Sequence, residues 1–163
     1  MSPDLFLKNA LIPALALLPA TQDSPAARAM VLAICLQESR LTHRRQVGGP
    51  ARGYAQFEQG GGVHGVLTHP VVGPLIVAVL TTLDYDPDSL SIEFDCWTAI
   101  EHNDILACCF ARLLLYTLPD PLPAADNPEG GWGQYVTAWR PGTPRPLTWP
   151  ALYAQAWDIA GKK

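Results

Sequence analysis

The stretch that decides the fold spans residues 23–41 and reads DSPAARAMVLAICLQESRL. Asp23 or Ser24 serves as the N-cap and Pro25 as the first helical residue, which together are a strong signal for the start of a helix. Glu38 falls near the end of this helix and on its core-facing side, so the sequence places a carboxyl group against the core. The apolar residues of that side are Ala26, Met30, Ala33, Ile34 and Leu41.

Helices are predicted on both sides of this stretch, whose own helix extends to about Arg44. The segment of residues 46–65 differs, because seven of its 20 residues are glycine. We expect a loop there, with a short strand or helical turn at residues 54–57. The other predicted helices span residues 4–18, kinked or broken at Pro13, and residues 69–82, 96–117, 132–139 and 151–160.

Composition favours one folded domain over residues 1–163. The chain is 48% hydrophobic and 16% charged, which is too apolar for disorder. Its net charge is −4 and no basic run is longer than Arg44-Arg45, so no phosphate-neutralising face is predicted and nucleic acid is not an expected partner. The cysteines lie in apolar helical segments and lack metal-ligand spacing, which predicts buried free thiols and a reducing compartment: Cys35, Cys96, Cys108 and Cys109.

The apolar N-terminal segment of residues 10–18 has the composition of a signal sequence, but its surroundings do not fit one. Asp4 lies beside the only preceding cation, Lys8, and Leu18-Pro19-Ala20 is a poor cleavage site. Nine apolar residues interrupted by Pro13 are too few to cross a bilayer. We therefore predict a core helix here, with no signal peptide and no membrane span.

Three short segments together resemble one known group of proteins. They are Glu38-Ser39, then Gly53-Tyr54-Ala55-Gln56, then Ala138-Trp139-Arg140-Pro141-Gly142. In this order and spacing the chain resembles the lytic transglycosylase and goose-type lysozyme superfamily over roughly residues 24–142. That family carries a Glu-Ser pair at the end of a buried helix, a Gly-aromatic-x-Gln turn and an Ala-Tyr-Asn-Ala-Gly-like segment. The third segment departs from the family, because Arg140 and Pro141 replace its central pair.

The resemblance implies a mainly α, lysozyme-like single domain with a Gly-rich loop or small β element forming one side of a cleft. It implies cleavage of peptidoglycan glycan strands between N-acetylmuramic acid and N-acetylglucosamine, by a lytic transglycosylase or muramidase that needs no cofactor and no metal. The Gly-rich segment is more similar to phage-encoded members. That similarity implies a place in a phage virion, or in host cytoplasm before the protein reaches the periplasmic cell wall, with other virion proteins as further partners.

The residue chemistry agrees with this implication. Glycosidic cleavage needs an acid that holds its proton near neutral pH, and a core-facing Glu38 gains a raised pKa by desolvation. In a hydrolytic mechanism Glu58 is the candidate second carboxylate that activates water, and Asp95 is a less favoured one. A transglycosylase does not require a second carboxylate, since the substrate's acetamido oxygen assists. The predicted substrate-binding residues are Ser39, Gly53, Tyr54, Gln56, Tyr135 and Trp139.

Other readings stay open at this stage. The altered third segment also suits a lysozyme-like component of a virion or tail whose activity is weak or lost. A helical packaging or toxin-type protein that matches by chance is a third hypothesis, and it predicts that Glu38 points into solvent. A zinc amidase or peptidase is disfavoured because the four histidines lack ligand spacing and no HExxH motif occurs.

Overall fold

The computed structural model describes residues 1–161 and is mainly helical, as the sequence predicts. Single π-helical turns span Leu7–Leu11 and Gln59–Val63, and 3₁₀ turns span Ala20–Gln22 and Pro146–Thr148. Residues 1–161 contain no β-strand, only isolated antiparallel bridges. The α-helices are α1 (Pro3–Phe6), α2 (Ile12–Ala16), α3 (Pro25–Ser39), α4 (His64–Thr68), α5 (Gly73–Thr82), α6 (Ile92–His102), α7 (Asp104–Tyr116), α8 (Pro128–Trp139) and α9 (Trp149–Ala160).

Helix α3 runs through the core. The Ser24 hydroxyl caps its start by accepting from the Ala27 amide at 3.1 Å. Every residue from Ala29 to Gln37 is buried, so the helix is enclosed on all sides rather than on one stripe. It packs against α9, the N-terminal helix and α7. An all-round apolar helix of this kind sets the centre of the fold, and the other helices cover it.

The predicted extension of α3 to Arg44 is wrong, because the helix ends at Ser39. Arg40 and Leu41 both adopt left-handed backbone conformations, with φ of 55° each, and the Arg40 amide closes the helix on the Leu36 carbonyl. The Ser39 hydroxyl accepts from the Leu41 amide at 3.2 Å and stabilises this turn. Leu41 is fully buried, but it lies after the helix and not on its apolar side.

Two other predicted helices are interrupted. The helix expected over residues 96–117 is two helices, because Asn103 is extended and its side chain caps α7 at the Leu106 amide, 3.0 Å away. The helix expected over residues 69–82 begins only at Gly73. His69 precedes Pro70, whose ring disfavours a helical residue before it, and His69 is extended.

Two helices begin or lie where the sequence did not predict them. Residues Gln59–Val63 form a π turn in which Gly61 has non-helical φ of −103° and ψ of −106°, and His64–Thr68 are α-helical, although the glycine content predicted a loop to residue 65. Helix α8 starts at Pro128, ahead of the predicted residue 132, with Asn127 accepting from the Gly130 amide at 2.9 Å. Asn127-Pro128 is a cap signal for the start of α8.

The N-terminal helix is not broken at Pro13. Pro13 lacks an amide proton, and the π turn Leu7–Leu11 comes shortly before it in the chain. Helix α1, the π turn and α2 follow one another without a loop. The buried residues of this helix pack on α7 and α3. They are Phe6, Leu7, Ala10, Leu11, Ala14 and Leu15.

All four cysteines are free and buried, as predicted. Within residues 1–161 no single helix has both the length and the apolarity needed to cross a membrane. Gln59–Thr68 and Gly73–Thr82 reach that length and apolarity only when they are taken together, and the chain bends by 98° between them.

Candidate functional site

Glu38 lies in the last turn of α3, half-buried at the edge of a groove. The Tyr135 hydroxyl, on α8, donates to its Oε1 at 2.5 Å. Burial raises the pKa of Glu38, while the Tyr135 hydrogen bond and the positive charge of Arg145 oppose that rise without cancelling it. The result is a carboxyl group that keeps its proton to higher pH than an exposed glutamate.

Gln37, the residue before Glu38, is fully buried and ties α3 to the connection between α8 and α9. Its Nε2 donates to the Arg145 carbonyl at 3.0 Å, and its Oε1 accepts from the Thr148 hydroxyl at 3.0 Å. The Arg145 guanidinium donates in turn to the Gln37 carbonyl at 3.0 Å. This network fixes the backbone on both sides of the groove at the point where Glu38 emerges.

The groove beside Glu38 has a volume of about 1120 Å³. One wall comes from the segment of residues 46–69 and the other from residues 135–145. Gly62 allows the first wall to close on the core, since a Cβ there would lie 2.6 Å from the Phe57 ring. The groove volume is slightly above the range of about 300–1000 Å³ that is typical of small-molecule sites.

The turn of residues 52–57 is part of the groove wall formed by residues 46–69. Arg52 and Phe57 exchange two backbone hydrogen bonds, at 2.9 and 2.7 Å, and close the turn. Gly53 has φ of +72°, and a Cβ there would meet Ile100 at 2.7 Å, so glycine is required for two reasons. Gln56 also has positive φ, 52°, and its side chain donates to the Gly53 carbonyl at 2.7 Å.

Trp139 joins the two walls. Its indole N–H donates to the Ala55 carbonyl at 2.8 Å, and its ring lies 5.7 Å from that of Phe57. Tyr135 stacks on Trp149, with ring centroids 5.2 Å apart and an interplanar angle of 10°. The aromatic side chains of α8 and α9 therefore hold the hydroxyl that contacts Glu38 in one position.

The structure brings five of the predicted site residues to the groove. Glu38, Gln56, Glu58, Tyr135 and Trp139 all line it.

Ser39, Gly53 and Tyr54 are buried beside the groove and do not line it. The Ser39 hydroxyl donates to the Tyr54 carbonyl at 2.8 Å, and the Tyr54 ring packs on Phe6 and under Arg44. Their positions join the end of α3 to the 52–57 turn, and their assignment as substrate contacts stays a prediction.

Two arginines and two histidines are among the groove residues that were not predicted as site residues: Arg140, Arg145, His64 and His69. His64 hydrogen-bonds Glu93, with 2.6 Å between Nδ1 and Oε1. The arginines lie in a Pro-rich turn that carries no recognisable spacing, so only their shared sign of charge could have singled them out.

In the described part of the chain no group of three or more His, Cys, Asp or Glu side chains is placed to hold a metal ion. No protein-family model, curated protein or solved structure matches this chain at a significant level.

Proposed function

We propose that this protein cleaves peptidoglycan glycan strands between N-acetylmuramic acid and N-acetylglucosamine, with Glu38 as the acid. The observation that carries the proposal is the Glu38 carboxyl group itself. It is half-buried, its pKa is raised by burial, and it lines a groove of about 1120 Å³. In this proposal the fold is lysozyme-like, and the Gly-rich segment of residues 46–65 forms one side of the cleft.

The two oxygens of Glu38 have different surroundings, which suits proton transfer. Oε1 accepts the Tyr135 hydrogen bond, whereas no side chain in residues 1–161 hydrogen-bonds Oε2. The proton on Oε2 passes to the glycosidic oxygen as the C–O bond breaks and positive charge develops on the sugar ring. Tyr135 and Arg145 then stabilise the carboxylate that remains, because both favour its ionised form.

The second half of the reaction has two chemical forms. In a lytic transglycosylase the acetamido oxygen assists and the substrate's own C6 hydroxyl closes a 1,6-anhydro ring, while Glu38 takes back a proton. In a muramidase a water molecule adds instead, and Glu58 is the groove carboxylate that would activate it. Glu58 is exposed and Glu38 is half-buried, so the two carboxyl groups differ in the way that an acid and a base require.

The test is mass spectrometry of the soluble fragments released from Gram-negative peptidoglycan by wild-type protein and by the Glu38→Gln variant. We expect fragments from the wild type and a loss of at least about 10³-fold in the variant, the size typical of removing a general acid. Anhydro-muropeptides identify a transglycosylase, and reducing-end muropeptides identify a muramidase. Glu58→Gln is the matched variant: it lowers the rate only if the reaction is hydrolytic.

Both variants are checked by circular dichroism, so that loss of activity is not confused with loss of fold. If folded wild-type protein releases no fragments, the proposal fails and an inactive virion component becomes the better hypothesis. If Glu38→Gln is as active as the wild type, Glu38 is not the acid.

A further inference from the structure

The groove wall formed by the α8–α9 connection carries positive charge and no negative charge. Between Glu129 and Asp158 the only charged residues are Arg140 and Arg145. Both are exposed and both line the groove that contains Glu38. Within residues 1–161 neither of them forms an ion pair, so their charges are available to a ligand.

The backbone holds both arginines in place before any ligand arrives. Arg140 ends α8 in the left-handed conformation, with φ of 48°, and its amide donates to the Val136 carbonyl at 3.0 Å. Arg145 is fixed at its carbonyl and its guanidinium by Gln37. The prolines of this connection restrict the chain further, which lowers the entropy lost on binding: Pro141, Pro144 and Pro146.

The opposite wall has the other sign of charge. Glu58 is exposed there, and His64 on the same wall hydrogen-bonds Glu93, with 2.6 Å between Nδ1 and Oε1. An anionic group in the groove is therefore attracted towards Arg140 and Arg145 and repelled from Glu58. The groove distinguishes its two sides for any ligand that carries a carboxylate.

We propose that Arg140 and Arg145 bind carboxylates carried by the glycan and make the groove selective for anionic over neutral strands. This inference rests on the proposed glycan-cleaving function. It also gives a reason for Arg140 to stand in the segment where the resembling family has a different residue. The carboxylate has two sources, the lactyl group of N-acetylmuramic acid and the peptide attached to it.

Three strands of equal length separate these sources. The first carries its peptides, whose amide linkage blocks the lactyl carboxyl group. The second is stripped by an amidase, which frees the lactyl carboxylates, and the third is a stripped strand whose lactyl carboxylates are converted to methylamides. Binding is measured by fluorescence anisotropy for wild-type protein and for Glu38→Gln, so that affinity is read with and without the proposed acid. Binding does not depend on turnover, and it therefore tests this inference even if no strand is cleaved.

The variants are Arg140→Gln and, as a matched control, Arg40→Gln. Arg40 is also an exposed arginine that ends a helix in the left-handed conformation, with φ of 55°, but it does not line the groove. We expect the neutral strand to bind about tenfold more weakly than an anionic one, and Arg140→Gln to weaken anionic binding about fivefold. Arg40→Gln should leave all three affinities unchanged.

Tighter binding of the stripped strand than of the peptide-bearing strand assigns the carboxylate to the lactyl group, and equal affinity shows that either carboxylate serves. A preference for the peptide-bearing strand alone assigns it to the peptide, and all three results support the inference. Equal affinity for anionic and neutral strands, equal effects of Arg140→Gln and Arg40→Gln, or no binding at all overturns it. Anionic selectivity without cleavage by folded protein would instead contradict the proposed function and leave the selectivity standing.

Discussion

Two ionisable side chains, Arg112 in the interior and half-buried Glu38 at the groove, have different surroundings. Arg112 lies on α7, only 5% exposed, and its Nε donates to the Gln22 carbonyl at 2.8 Å. Burial lowers its pKa to about 10, and no partner in residues 1–161 hydrogen-bonds its Nη1. Glu38 has a hydroxyl partner, a cation nearby and an open side.

The difference separates a structural charge from a chemical one. Arg112 joins α7 to the connection before α3, and with a pKa of about 10 it stays charged at neutral pH. Glu38 has a raised pKa and faces a groove, so it can change its charge where a ligand can reach it. A perturbed pKa alone therefore does not identify a site, and the position of the group relative to a cavity decides.

The largest effect on stability is expected from Arg112→Ala. It leaves the Gln22 carbonyl without its donor and opens a cavity, which should lower the free energy of unfolding by about 3 kcal/mol. Arg112→Met also leaves the Gln22 carbonyl without its donor but fills the space, so it should cost less, about 1–2 kcal/mol. Urea denaturation measures both. If Arg112→Ala keeps its stability but loses glycan cleavage, Arg112 belongs to the site. The distinction between a structural Arg112 and a chemically active Glu38 is then wrong.

Tyr135→Phe is expected to have a smaller effect, on the pH profile of cleavage. The Tyr135 hydroxyl favours the ionised form of Glu38, so its removal raises the pKa of Glu38 further. The alkaline limb of the rate profile then moves to higher pH, with a loss in rate of about threefold to tenfold. Tyr153→Phe is the control, since the Tyr153 hydroxyl donates to the Pro123 and Ala124 carbonyls outside the groove. A shift of the limb to lower pH would contradict this role.

The smallest effect is expected in the stability of Glu38→Gln. The raised pKa means that folded protein binds the Glu38 proton more tightly than unfolded protein does. This stabilisation is fully present below the ordinary value of 4.5 and is lost as the pH rises through the folded value. The Glu38→Gln side chain stays neutral at every pH. Near pH 8 the free energy of unfolding of this variant should therefore exceed that of the wild type by up to about 1 kcal/mol, a gain that removal of an active-site charge often gives.

The gain in stability of Glu38→Gln should disappear below pH 4.5, and thermal unfolding at both pH values measures it. Exposed Glu58→Gln is the control and should show no such gain. A Glu38→Gln variant that is less stable than the wild type at alkaline pH would show that the carboxylate is better solvated than its burial indicates.

The sequence predicted the helical class, the start of α3 and the burial of Cys35, because each depends on local signals or on apolar content. It missed the end of α3 and the break at Asn103, because left-handed and extended single residues depend on the partners that cap them. For the site, it found Glu38, Gln56, Glu58, Tyr135 and Trp139 as candidates. It missed Arg145, whose contact with Gln37 joins residues 108 positions apart.

By itself the sequence determined which residues are apolar, where α3 begins and that a glutamate sits on its core-facing side. Those properties follow from side-chain chemistry and from the 3.6-residue period of the helix. Only the tertiary structure decided that Tyr135 contacts Glu38 and that Arg140 and Arg145 face the same groove. Contacts between α3 and α8 depend on how the helices pack, and the pKa of Glu38 depends on the burial and charges that this packing creates.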